Sequence, residues 1–173
     1  MGKGGIRYHL KQLDDKPKPE RLVSWLCDIA RGMDYLHRMG IAHGDLRGNN
    51  ILLSENDEAL VTDVFLYAYF GDSDLRKDSP ERWMSPEFLD TLKPTYASDS
   101  FSFGHVCIEI FTGEIPFPEL SVGQAVGKMA EGIFPIKPDT MPDRVWSLVR
   151  ECWEYVPERR PTMQRILREL SGN

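Results

Sequence analysis

Two carboxylates and one amide, at fixed spacing, are the residues of this chain whose types can do chemistry together. Asp45 is followed by Asn50 five residues later, and Asp63 stands thirteen residues after Asn50. Asp45 lies in the polar run His43-Gly44-Asp45-Leu46-Arg47-Gly48-Asn49-Asn50, where a carboxylate can accept a hydroxyl proton. Asn50 and Asp63 offer oxygen ligands suited to Mg²⁺, a hard cation that takes a few protein oxygens and completes its shell from phosphates and water. One base and two metal ligands in a short stretch describe phosphoryl transfer. The bland reading of the run alone is a loop whose Asp and Asn cap turns. Asp63 tells against it, because an acid at the end of an apolar strand has no structural need to be there.

These groups need a frame, and the flanking sequence supplies one. Leu22, Leu26, Ile29, Met33 and Leu36 recur at helical spacing, so an amphipathic helix is expected over residues 20–38, ended near Gly40. Ile51-Leu52-Leu53 and Ala59-Leu60-Val61 flank the polar turn Ser54–Glu58 and read as a β-hairpin. Residues 66–85 show no clean period and read as a long loop. From Ser98 onward, Phe101, Phe103, Val106, Cys107, Ile108, Ile110 and Phe111 cover the whole circumference of a helix, which should therefore be buried. Thr112-Gly113 stops it, and Pro116 and Pro118 keep the exit extended. Three more helices are expected at 121–131, 143–153 and 161–171, the last two opening at Pro142-Asp143 and Pro161. Before all of these, Asp14–Pro19 reads as a solvated loop. The fold class is mainly α with one small hairpin.

Composition narrows the partners. With 21 basic and 27 acidic side chains the net charge is −6, and no Lys/Arg run is present, which excludes a broad nucleic-acid face. No apolar stretch approaches the roughly 20 residues that span a bilayer. Three cysteines without Cys-x-x-Cys spacing read as reduced thiols, and a cytoplasmic protein is expected. His9, His37 and His105 read as surface or satisfied helix histidines, and Trp25, Trp146 and Trp153 as core aromatics.

The 43–50 run resembles the protein-kinase catalytic loop H-R-D-x-x-x-x-N, and Asp63-Val64-Phe65 stands where that family has D-F-G. Ser85-Pro86-Glu87, ending 24 residues after Asp63, resembles A-P-E, and Asp99–Gly104 resembles D-x-W-S-x-G. Cys152-Trp153 with Pro157–Thr162 resembles the C-W…P-x-x-R-P-T run, and together these look most like the tyrosine-kinase-like group. The resemblance implies one protein-kinase-like C-terminal lobe over residues 1–173, α+β as a family, with catalytic loop 43–50 and activation segment 63–87. It implies Asp45 and Arg47 as catalytic, Asn50 and Asp63 as metal ligands, and Leu52, Asn50 and Asp63 as contacts for ATP–Mg²⁺. It also implies that Glu87 pairs with Arg160, that His43 packs without moving protons, and that protein substrates or partners are bound. Aminoglycoside and choline kinases share H-G-D-x-x-x-x-N, which suits Gly44, but lack the S-P-E and R-P-T segments.

Other features depart from the active pattern. No Gly-rich phosphate loop, strand lysine or partner helix glutamate is recognisable, and Gly5–Leu10 resembles the first C-lobe helix, so an absent N-lobe is expected. Gly44 replaces the arginine that reads activation-loop phosphate. Val64-Phe65 replaces Phe-Gly, and Pro80 stands where Ser/Thr-type kinases place a hydroxyl. The expectation is an inactive, pseudokinase-like binding module. Its rival is part of an active kinase whose N-lobe is encoded upstream.

Overall fold

The computed structural model describes residues 5–64 and 79–172. Among these the chain is mainly helical, with a single two-stranded antiparallel sheet. The elements are α1 (Ile6–Gln12), α2 (Pro19–Arg38), β1 (Ile51–Leu53), β2 (Ala59–Val61), α3 (Pro86–Thr91), α4 (Tyr96–Thr112), α5 (Val122–Ala130), α6 (Asp143–Cys152) and α7 (Met163–Ser171).

α4 is the centre of the molecule. From Ser98 to Phe111 every residue is buried, as its all-round apolar pattern requires. It begins with a capping box: Thr95 Oγ1 accepts from Ser98 N at 3.0 Å while Ser98 Oγ accepts from Thr95 N at 2.8 Å. It ends where Gly113 takes the left-handed conformation at φ 77°. α6 packs on one side of it and α2 on another, with α7 against α2. Gly104 is required for this contact, because a Cβ there would lie 2.7 Å from Trp153 Nε1 and 3.1 Å from Cys152 Cβ.

α2 carries the hairpin. Its stripe of Leu22, Leu26, Ile29 and Met33 enters the core, and its outer turns grip the β-turn. Trp25 Nε1 and Arg21 Nη2 both donate to Asp57 O (3.1 and 3.2 Å), and Asp28 Oδ2 accepts from Ala59 N at 3.3 Å. Asp57 holds φ 65°, a conformation that Asp tolerates in turns. The register Ile51↔Val61, Leu52↔Leu60, Leu53↔Ala59 is thereby set, and it places Ile51 and Leu53 in the core with Leu52 on the outer face.

Several sequence expectations need correction. α3 follows the expected loop, where only the Ser85-Pro86-Glu87 motif was read and no helix; Phe88 alone of its six residues is buried, too little for a period. Part of the 66–85 loop is a 3₁₀ turn, Pro80–Arg82, and residues 65–78 lie outside the described residues. Pro161 does not open α7: Thr162 is its cap, accepting from Arg165 N at 3.3 Å, and Pro161 stands one residue outside. His105 is fully buried among Phe101, Phe134 and Trp153, with Nδ1 accepting from Trp153 Nε1 at 3.2 Å and Nε2 without a partner. Burial pushes its pKa down to about 3, so it stays neutral. Trp25 and Trp153 are core aromatics, and Trp146 is partly buried with its ring edge-on to Trp153.

Candidate active site

The 43–50 loop is held from below by α4. Asp99, 1% exposed, accepts from the backbone N–H of His43 with Oδ2 (2.7 Å) and of Gly44 with Oδ1 (2.9 Å). His37 of α2 meets the same carboxylate at 2.8 Å. These bonds bend the chain into a form that only glycine adopts cheaply: Gly44 has φ 76°, and a Cβ there would lie 3.0 Å from Pro94 Cβ. Gly44 is therefore a backbone requirement as well as a missing arginine.

His43, 0% exposed, ties the loop to the strand that leads to Asp63. Its Nδ1 accepts from Asp45 N at 3.1 Å, which assigns the ring proton to Nε2, and Nε2 donates to Thr62 O at 3.0 Å. The histidine is a brace between the two segments.

Asp45 and Asn50 meet directly. Asn50 Nδ2 donates to Asp45 Oδ2 and to Asp45 O, both at 2.8 Å, and Arg47 Nε lies 3.0 Å from Asp45 Oδ1. Burial raises the Asp45 pKa, against the opposing pull of Arg47, Asn50 and His43. A carboxyl raised in this way is a better proton acceptor than a solvated aspartate, because its basicity lies closer to neutral pH. With Nδ2 used by Asp45, Oδ1 is the atom through which Asn50 can ligate a cation.

Asp63 reaches this cluster through Thr62. Thr62 N donates to Asn50 O at 2.9 Å, and Thr62 Oγ1 donates to Asp63 Oδ2 at 3.0 Å. Asp63 is exposed and has φ 60°, uncommon for a residue with a side chain. An amide oxygen and a carboxylate one residue-link apart form an all-oxygen donor set, the chemistry that Mg²⁺ takes. The residues present thus fit that ion. Leu52, 38% exposed, lies on β1 two residues beyond Asn50, and Gly5 bridges to it. Of the departures, Val64 is partly buried, Phe65 lies outside the described residues, and Pro80 opens the 3₁₀ turn.

The Ser85–Glu87 segment is fastened to the helical bundle. Arg160 Nη1 and Nη2 meet Glu87 Oε1 and Oε2 at 2.6 and 2.9 Å. Arg82, fully buried, donates to the carbonyls of Pro116, Phe117 and Leu120. Residues 1–170 match the family model described as protein tyrosine and serine/threonine kinase.

The chain belongs to the protein kinase family.

The match places it with protein kinases, as the Ser85-Pro86-Glu87 and Arg160-Pro161-Thr162 segments imply. Its curated relatives are of the tyrosine-kinase-like kind. It is 31% identical to the tyrosine-protein kinase Src64B of Drosophila melanogaster over 172 residues, covering 95% of this chain and 31% of the relative. It is 32% identical to the human tyrosine-protein kinase TXK over 176 residues, covering 99% of this chain and 33% of the relative. The chain thus spans about a third of the length of the curated relatives it matches.

One residue of this site was not among the sequence expectations. Glu109 is 1% exposed, and its Oε2 accepts from Gly48 N (2.8 Å) and from Trp83 Nε1 (2.7 Å). An acid inside an otherwise apolar helix run was the available signal, since buried carboxylates need partners.

Proposed function

We propose that these 173 residues are the catalytic-loop lobe of a tyrosine-kinase-like protein kinase, and that by themselves they bind protein without turning over ATP. The observation that carries this reading is the Asp45–Asn50–Arg47 cluster, complete in its mutual bonds, in a sequence with no recognisable Gly-rich loop or strand lysine. In a complete kinase domain Asp45 would accept the proton of the substrate hydroxyl, with Arg47 orienting its carboxylate and balancing its charge. There Asn50 Oδ1 and Asp63 would hold Mg²⁺, which would supply charge neutralisation at the phosphates. Leu52 offers an apolar floor to the base of a nucleotide.

Magnitudes separate binding from turnover. Removing one preorganised electrostatic contact to a transition state costs about 3–4 kcal/mol. A phosphate loop and its lysine represent several such contacts, which three loop residues do not replace. Apolar surface supports the binding role: Tyr35, Leu52 and Leu60 are exposed, and Leu36, Val61 and Val64 line a groove of about 460 Å³ between α2 and the hairpin. We place the protein in the cytoplasm; no helix among the described residues is long and apolar enough to cross a membrane.

A second reading is favoured by the intact Asp45–Asn50–Arg47 cluster, a geometry suited to a working base. In it, residues outside this sequence supply the ATP clamp, and the whole phosphorylates protein hydroxyls. A thermal-shift titration with ATP and Mg²⁺, on wild type and Asp63→Asn, tests the first reading. No shift in either protein is expected; a large wild-type shift abolished by Asp63→Asn would contradict it.

A further inference from the structure

Glu109 joins three segments that the sequence keeps far apart. Gly48, bonded to its Oε2, opens the 3₁₀ turn that carries Asn50. Trp83, bonded to the same oxygen, follows the Pro80–Arg82 turn and leads into Ser85-Pro86-Glu87. Arg7 of α1 brings Nη1 to 3.6 Å from the other oxygen, Oε1, which accepts no hydrogen bond. The fit at Gly48 is tight, since a Cβ there would lie 2.9 Å from Oε1.

We propose that Glu109 is a positioning residue, and that by sharing one oxygen between Gly48 and Trp83 it makes the placement of the 43–50 loop and of the Trp83 segment one coupled state. An ionised carboxylate makes both bonds charge-assisted, roughly twice as strong as those of the neutral acid. Proton uptake therefore loosens both segments together. Burial pushes the Glu109 carboxyl up to about 7, while Gly48 N–H, the Arg7 guanidinium of α1, the Trp83 indole and Arg47 of the loop pull it down. The charged groups facing it are thus Arg7 and Arg47, and the two N–H donors do the rest. The consequence for catalysis rests on the kinase reading above; the coupling itself is present without ATP.

The test is a pH titration of the ¹⁵N-labelled chain, following the Trp83 indole N–H and the Gly48 amide by NMR. Both signals should move with one common midpoint near the Glu109 value of about 7, and both should be flat in Glu109→Gln. Trp83→Phe keeps the ring and removes one donor, so the Gly48 midpoint should rise by about one pH unit. This second variant decides the matter even where Glu109→Gln does not fold. Separate midpoints, no titration, or a Gly48 midpoint unmoved by Trp83→Phe would overturn the coupling. A chain that titrates this way but shows an ATP–Mg²⁺ thermal shift abolished by Asp63→Asn loses the no-turnover reading alone.

Discussion

Arg160 grips Glu87 with two parallel bonds across 73 residues of sequence, Nη1 to Oε1 at 2.6 Å and Nη2 to Oε2 at 2.9 Å. The guanidinium is completely covered while the carboxylate keeps 30% of its side-chain surface. It also donates to Ala97 O and Glu154 O, and its face lies 5.0 Å from the Phe101 ring centroid. One side chain thus fastens α3, the start of α4 and the loop before α7.

Arg160→Ala is expected to lower unfolding stability by about 3 kcal/mol, because it strands Glu87 and several carbonyls at once. Urea denaturation reads this directly. Burial works to raise the Glu87 carboxyl, but the bonds from Arg160 and Ser85 outweigh it and the net pKa is lowered. A lowered carboxyl stabilises the fold above its ordinary value and loses that contribution as pH falls through its folded value. The acid limb of wild-type stability should therefore be steeper than that of Arg160→Ala.

Asp99→Ala removes the acceptor of two loop N–H groups and the partner of His37. With the donors left buried, a loss of about 2–4 kcal/mol is expected by the same measurement. Amide shifts of His43 through Asn50 should change with it, because the loop loses its clamp.

Gly44→Ala should destabilise by about 1–2 kcal/mol, from the left-handed φ and the approach of Pro94. Gly123→Ala, inside α5 with nothing within 4 Å of its Cβ position, should instead stabilise by about 0.5–1 kcal/mol. Opposite signs in calorimetric Tm for two Gly→Ala changes check the backbone argument.

Glu109 gives stability the reverse pH slope to Glu87. Its carboxyl is raised from 4.5 to about 7 on folding, so between those values the folded chain holds a proton that the unfolded chain has released. Stability then falls as pH rises through that window, by up to about 3 kcal/mol. Glu109→Gln should remove this slope; urea midpoints taken across the window read it.

Much of this arrangement was legible in the residues. The all-round apolar run of α4, the stripe of α2 and the paired runs of the hairpin each carry a period or a turn signal, and each formed where expected. The Asp45–Asn50 contact follows from a spacing within one loop. What stayed hidden has a weak local signal or none. α3 buries one residue, Phe88, and so shows no periodicity. Glu109 acquires its meaning from Gly48 and Trp83, 61 and 26 residues away, and His43 from Thr62. Such pairings are products of packing, and only the resemblance to kinases foretold one of them, Glu87 with Arg160.

On the proposed reading this kinase lobe has a built loop but alone does not turn over ATP. Transfer of labelled γ-phosphate from ATP–Mg²⁺ to a tyrosine- and serine-containing peptide mixture, by this chain and by Asp45→Asn, tests it most directly. The wild-type chain should show no transfer above the Asp45→Asn background. Transfer that disappears in Asp45→Asn would contradict it.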